Sequence, residues 1–192
     1  MLVYSRKSDN KTKKPAVFLD RDGTINLDRK GRYLTKTSGI RIYKTAPDAL
    51  IKLQESGFQL IILTNQSAVA RKLMTLKKAI LVNLKILDYL EKKGVKIDGI
   101  YMCPHGPRDG CRCRKPEPGL VKEALKNHNL DIKSSYLVGD KTTDMILARK
   151  FNLKSILLLT GHGSHEIKAA KNLAAHVADT LLQAARWIIK QQ

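Results

Sequence analysis

Three cysteines and a histidine fall within one short run, Cys103-Pro104-His105-Gly106-Pro107-Arg108-Asp109-Gly110-Cys111-Arg112-Cys113, and they include every cysteine of the 192-residue chain. Thiolate and imidazole are the donors Zn²⁺ prefers. Four of them close a tetrahedral site that staples a loop and leaves no position for a catalytic water. Arg114, Lys115 and Pro116 follow at once, so the staple passes cationic side chains to whatever it organises. The expectation is a zinc site of Cys103, His105, Cys111 and Cys113 that builds one wall of a substrate pocket.

A second constellation is acidic. Asp20 and Asp22 stand two apart, followed by Gly23, which permits a tight turn, and Thr24. A lone Asp-x-Asp is often only an acidic turn. Two carboxylates can also share a two-step hydrolysis, one taking up a phosphoryl group as nucleophile, the other protonating the leaving oxygen and later activating water. Carboxylates repel a phosphate, so a hard cation with oxygen ligands is needed, and Mg²⁺ held by one or two carboxylates plus the substrate phosphate fits. Asp140 and Asp144 can supply the missing metal ligand and its support.

These residues must be carried by regular elements. Ala16 to Leu19, Gln59 to Leu63, Ile97 to Met102, Tyr136 to Val138 and Ser155 to Leu159 are short apolar runs that read as buried strands. Helical spacing marks Pro47–Glu55, Thr75–Lys93, Leu120–His128, Asp144–Phe151 and a C-terminal packing helix over Asp179–Lys190, with Trp187 as an anchor. Strands alternating with helices, each strand apolar throughout, imply an α/β fold: a doubly wound, Rossmann-like parallel sheet covered on both faces. Ligands bind such sheets beyond the strand C-termini, where Asp20, Thr64, Cys103 and Asp140 all fall. Residues 1–14 read as a basic polar tail with order beginning at Pro15, and residues 15–192 as one domain.

The formal net charge is +19, from 36 Lys and Arg against 17 Asp and Glu. Such a charge attracts polyanions and concentrates phosphorylated substrates, but the cations are scattered without interleaved aromatics, so nucleic acid is not favoured as the partner. No signal peptide and no apolar run of about 18 residues is visible. A cytoplasmic protein with reduced thiols is expected, with no membrane partner and acting as a monomer.

Several segments together resemble the haloacid dehalogenase superfamily of phosphatases. Phe18 to Asn26 resembles its motif I, Leu63-Thr64-Asn65-Gln66 motif II, Lys115-Pro116 motif III, and Gly139-Asp140-Lys141-Thr142-Thr143-Asp144-Met145 motif IV. The resemblance covers about residues 16–160. With the cysteine loop, it is similar to the zinc-containing subgroup of heptose bisphosphate and histidinol-phosphate phosphatases. It implies Asp20 as nucleophile and Mg²⁺ ligand, Asp22 as general acid and base that also offers its carbonyl to Mg²⁺, and Asp140 completing the metal site with Asp144 in support. Thr64 would bind phosphoryl oxygens, Lys115 would neutralise their charge, and Lys141 would orient the site.

Asn65, Gln66 and Ser67 resemble the heptose-type pattern, since the histidinol-phosphate pattern places an Asp where Ser67 stands. Arg114 would then meet a second phosphate or sugar hydroxyls, with Asp28 and Tyr33 facing the substrate. Ala68 and the long basic segment Asp28–Tyr33 depart from the pattern. No separate cap domain is visible, so Arg29, Lys30, Arg32, Arg108, Arg112 and Arg114 are expected to grip the substrate. The implied function is Mg²⁺-dependent removal of the 7-phosphate from a heptose 1,7-bisphosphate, a step in carbohydrate metabolism leading to lipopolysaccharide. Histidinol phosphate and a 3′-phosphorylated nucleic-acid end are the alternatives.

Overall fold

The computed structural model of the protein describes residues 1–6, 12–28 and 32–192. Its centre is a seven-stranded sheet in the order β1-β4-β3-β2-β5-β6-β7, made of β1 (Leu2–Ser5), β2 (Lys14–Leu19), β3 (Gln59–Asn65), β4 (Gly99–Cys103), β5 (Leu130–Gly139), β6 (Lys154–Leu158) and β7 (His176–Ala178). All neighbours pair in parallel except β1, which runs antiparallel to β4. The chain steps outward from β2 through β3 to β4, then returns to place β5 on the other side of β2. That reversal opens the crevice beyond the C-termini of β2 and β5, where open α/β sheets bind ligands.

The alternation along β2 shows why both faces must be covered. Val17 and Leu19 point into a core shared with α1 (Ala46–Glu55), α2 (Leu76–Glu91) and α6 (Leu181–Ile189). Ala16 and Phe18 point into the opposite core with α3 (Gly119–Asn127) and α4 (Thr142–Lys150). Thr75 caps α2 by accepting from Lys78 N at 3.2 Å. Trp187 on α6 packs edge-on against Tyr136 and stacks on His176, the anchoring expected of it.

Three expectations about the elements are corrected. Order does not begin at Pro15: Leu2–Ser5 forms the edge strand β1 against β4, and Arg6 N donates to Asp98 O at 2.8 Å. The run Ser155 to Leu159, expected as the last strand, is followed by one more, because α5 (Gly163–Ala170) leads to β7 beside β6. Strand β5 is also longer than its apolar stretch, starting at Leu130 and crossing a register shift against β2. Among the described residues, no helix is long and apolar enough to cross a membrane.

Candidate active site

Four strand ends converge on one cavity of about 340 Å³, whose lining includes Asp20, Asp22, Asp28, Asn65, Gln66, Ser67, Arg114, Lys115 and Lys141. At its floor Lys115 is buried, its Nζ 2.6 Å from Asp20 Oδ1, 2.7 Å from Asp144 Oδ1 and 2.7 Å from Leu63 O. Burial opposes the charge on Lys115, but Asp144 and Asp20 outweigh it and hold the ammonium protonated. The lysine arrives there because Asn65 pairs reciprocally with its backbone, Nδ2 donating to Lys115 O at 3.1 Å and Oδ1 accepting from Lys115 N at 3.0 Å.

Oxygens of Asp20, Asp140 and Asp144 lie within 4.8 Å of one another, all buried. Burial pushes the Asp140 carboxyl up to about 8, against the pull of Lys141 and helped by the charges of Asp20 and Asp144. Asp144 is raised too, burial outweighing Lys115. Asp140 Oδ2 accepts from His162 N at 2.7 Å. Asp140 Oδ1 is buried without a hydrogen-bond donor among the described residues, and Lys141 Nζ stands 3.8 Å away, beyond hydrogen-bond reach. Three clustered carboxylates with an orphaned oxygen fit a hard divalent cation.

Asp22 is treated differently. Its Oδ2 accepts from Arg21 Nη2 at 2.5 Å and Gln66 Nε2 at 2.7 Å, and its Oδ1 from Asn26 Nδ2 at 2.8 Å. Burial alone would raise its pKa; the Arg21 charge and the three donors instead hold it below the usual carboxylate range. Arg21 is itself buried and tethered to Asn83 Oδ1 on α2 at 3.0 Å. Thr64 lies buried beneath Gln66, which donates to its hydroxyl at 2.8 Å.

The sulfur atoms of Cys103, Cys111 and Cys113 are 3.1 to 3.7 Å apart, and His105 Nδ1 is 3.6 Å from Cys103 and 3.3 Å from Cys113. These separations are too long for disulfide bonds of about 2.05 Å. They match the edges of a tetrahedron with Zn–S near about 2.3 Å, so the donor set fits zinc. Burial, then the neighbouring Cys113, raises the Cys103 thiol, and a bound cation would offset that cost because metal ligation requires the thiolate. The loop is also stitched to its surroundings: Gln66 N donates to Cys103 O at 2.7 Å, and Arg114 Nη1 to His105 O at 3.2 Å.

Of the cations expected to grip a substrate, Arg32 and Arg114 line the cavity. Arg108 instead borders a separate depression with Ala70, Arg71 and Gly106, and Arg112 is exposed outside the cavity. The turns of the stapled loop carry both away from the carboxylates. Arg29 and Lys30 lie outside the described residues. Tyr33 lines the cavity and lies under the Arg71 guanidinium, 5.9 Å from ring centre to Cζ. The sequence reading missed Arg21, Asn26, Asn83, Thr143, His162 and Glu166; of these Arg21, Asn26 and Thr143 stood inside a recognisable motif.

A doubly wound sheet with carboxylates after β2 and β5 and a buried lysine between them defines a hydrolase of the HAD-like class, and the HAD-hydrolase-like family model matches residues 112–184. The D-glycero-β-D-manno-heptose-1,7-bisphosphate 7-phosphatase of Yersinia pestis is 41% identical over 157 residues, covering 77% of this chain and 81% of that protein. The Escherichia coli K12 protein of the same name is 37% identical over 186 residues, covering 93% and 95%. The crystal structure of the B. bronchiseptica D,D-heptose 1,7-bisphosphate phosphatase complexed with magnesium and phosphate superposes with a TM-score of 0.85 at 27% identity, covering 93% and 99%. The chain belongs to this family of HAD-like phosphatases.

Proposed function

We propose that this phosphatase removes the 7-phosphate of D-glycero-D-manno-heptose 1,7-bisphosphate through an aspartyl-phosphate on Asp20. The observation that carries the reading is the buried cluster of Lys115, Asp20, Asp140 and Asp144 beneath a cavity rimmed by Arg32, Arg114 and Lys141. Phosphoryl transfer asks a protein mainly for positioning and charge neutralisation, and this arrangement offers both. Relatives named for the bisphosphate, sharing up to 43% identity, support the choice of ester.

Asp20, Asp140 and the Asp22 carbonyl would hold Mg²⁺ with Asp144 in support; when bound, the ion screens the carboxylates and polarises the phosphoryl group. Asp20 attacks phosphorus through a carboxylate oxygen as the bond to the sugar oxygen breaks, with Lys115 beside the transferred group and Thr64 as a donor. Asp22 gives its proton to the leaving oxygen. In the resting site Asp22 is ionised, but an incoming phosphate anion favours its protonation by like-charge repulsion. In the second half Asp22, again a base, takes a proton from the water that cleaves the aspartyl-phosphate. Arg114, Asn65, Ser67, Asp28, Tyr33 and Lys141 would bind the rest of the substrate. Zn²⁺ on Cys103, His105, Cys111 and Cys113 would fix the loop that delivers Arg114 and Lys115, a site that reduced thiols in the cytosol can fill.

Phosphate release from the heptose bisphosphate, histidinol phosphate and a 3′-phosphorylated oligonucleotide tests the reading. The heptose ester should give the highest kcat/KM, with its 1-phosphate retained. A higher value for the oligonucleotide or for histidinol phosphate overturns the assignment.

A further inference from the structure

The segment Thr160-Gly161-His162-Gly163 between β6 and α5 is locked against the active site from several directions. Thr160 Oγ1 donates to Gly23 O at 2.5 Å, His162 N to Asp140 Oδ2 at 2.7 Å, and Gly163 N to Thr160 O at 2.8 Å. Gly161 has φ +56°, and a Cβ there would collide with Asp140 Oδ2; one on Gly163 would collide with Leu158 O. Glycine is therefore required on both sides of His162. The backbone is fixed, and the imidazole is presented to the cavity it lines.

There His162 Nε2 lies 3.2 Å from Asp28 Oδ2, and Lys141 Nζ reaches the same oxygen at 3.2 Å. The Tyr43 hydroxyl lies where the backbone of both Gly161 and Asp28 acts on it, between the two segments. Sugar hydroxyls need acceptors, and an ionised carboxylate is acceptor-only. Among the carboxylates lining the cavity, Asp20 and Asp22 are committed to the phosphoryl group. Glu166 accepts the backbone N–H and hydroxyl of Thr142 on Oε2, and neither His162 nor Lys141 holds it. Asp28 is the one that His162 and Lys141 both hold. Among the described residues, both of its side-chain partners fall on Oδ2, which leaves Oδ1 to accept from a substrate hydroxyl.

We propose that His162 is a positioning residue for sugar recognition, clamping Asp28 with Lys141 so that the carboxylate accepts a hydroxyl of the substrate's polyol part. This rests on the sugar-phosphate reading above and adds a residue from beyond motif IV to the specificity apparatus. His162→Leu removes the ring donor but keeps the backbone N–H on Asp140, so its effect separates from support of the metal site. With the heptose bisphosphate, KM should rise about tenfold, the size of one charge-assisted hydrogen bond, while kcat moves less than twofold. The ratio of kcat/KM for the heptose bisphosphate to that for p-nitrophenyl phosphate, which lacks sugar hydroxyls, should fall about tenfold. His162→Gln, which retains a donor, should restore most of the ratio. Combining His162→Leu with Asp28→Asn should lower it no further than Asp28→Asn alone. An unchanged ratio, whether because both substrates suffer equally or because neither suffers, overturns the proposal. The wild-type ranking of esters tests the substrate reading separately from the change that His162→Leu causes.

Discussion

Replacing Lys115 by methionine keeps the length and most of the volume of the side chain but deletes the positive charge that stands 2.6 Å from Asp20 and 2.7 Å from Asp144. Both partners are buried, as is Asp140 beside them, so the variant encloses three carboxylates without their ammonium. Removing one partner of a buried ion pair costs about 3–5 kcal/mol. For a domain of this size each kcal/mol moves Tm by about 2–4 °C, so the expected loss without Mg²⁺ is roughly 6–20 °C. Added Mg²⁺ should recover part of it and raise Tm more in the variant than in the wild type, since binding to the folded form stabilises it. The pH dependence follows from the raised pKa of Lys115. A group raised on folding contributes its stability in full below its unfolded value, about 10.4, and loses it only as pH climbs through the higher folded value. The Lys115 charge itself is therefore constant from about pH 7 to 9, and the Tm gap should widen with pH over that range, because the raised Asp140 and Asp144 carboxyls must ionise without their ammonium in the variant. Turnover should fall by about 10²–10³ or more, as for loss of one preorganised electrostatic group. Differential scanning fluorimetry with and without Mg²⁺, alongside phosphate release, reads all of this. A variant that melts within 2 °C of wild type and keeps turnover within tenfold would refute the assignment of Lys115 as the charge that makes the site foldable and active.

Two further outcomes are expected. Asp20→Asn should abolish turnover, about 10⁴-fold or more because the covalent route is closed, while the fold persists because repulsion within the carboxylate cluster is relieved; substantial turnover would exclude Asp20 as the nucleophile. Metal analysis should find about one zinc per chain, and its removal by a strong chelator should lower both Tm and activity, because Arg114 hangs on His105 O and Gln66 on Cys103 O. Full activity in zinc-free, folded protein would contradict that coupling.

The residues that ended strands were legible in the sequence because, in a parallel sheet, an apolar run that stops at a carboxylate or threonine marks the point where the chain leaves the core for the ligand-binding rim. Asp20, Thr64 and Asp140 belong to that set, and Lys115 and Asp144 were reached through the motifs beside them. What escaped was held by tertiary context. Strand β1 is only four residues long and exists by pairing with β4; β7 has three, and α5 carries Gly, Ser and His in its first turn with little apolar periodicity. Lys133 and Ser134 are exposed within β5 and broke its apolar pattern. His162 and Glu166 lie more than a hundred residues from Asp20, and nothing local to them signals a site. Arg108 and Arg112 were misplaced for the converse reason: their proximity in sequence to the metal ligands says nothing about which way the stapled turns point them.

The two margins of the sheet bear on how copies of this protein meet. A strand margin is a template for pairing with another chain, yet one margin here is the three-residue β7, and the other is the four-residue β1 with a register break between Leu2 and Tyr4. Among the described residues, neither offers an uninterrupted ladder long enough to recruit a neighbour, and with +19 on each copy, approach is also opposed at low ionic strength. The long apolar strands that carry the phosphate site are thus kept at the middle of the sheet, where their backbone groups are already paired on both sides.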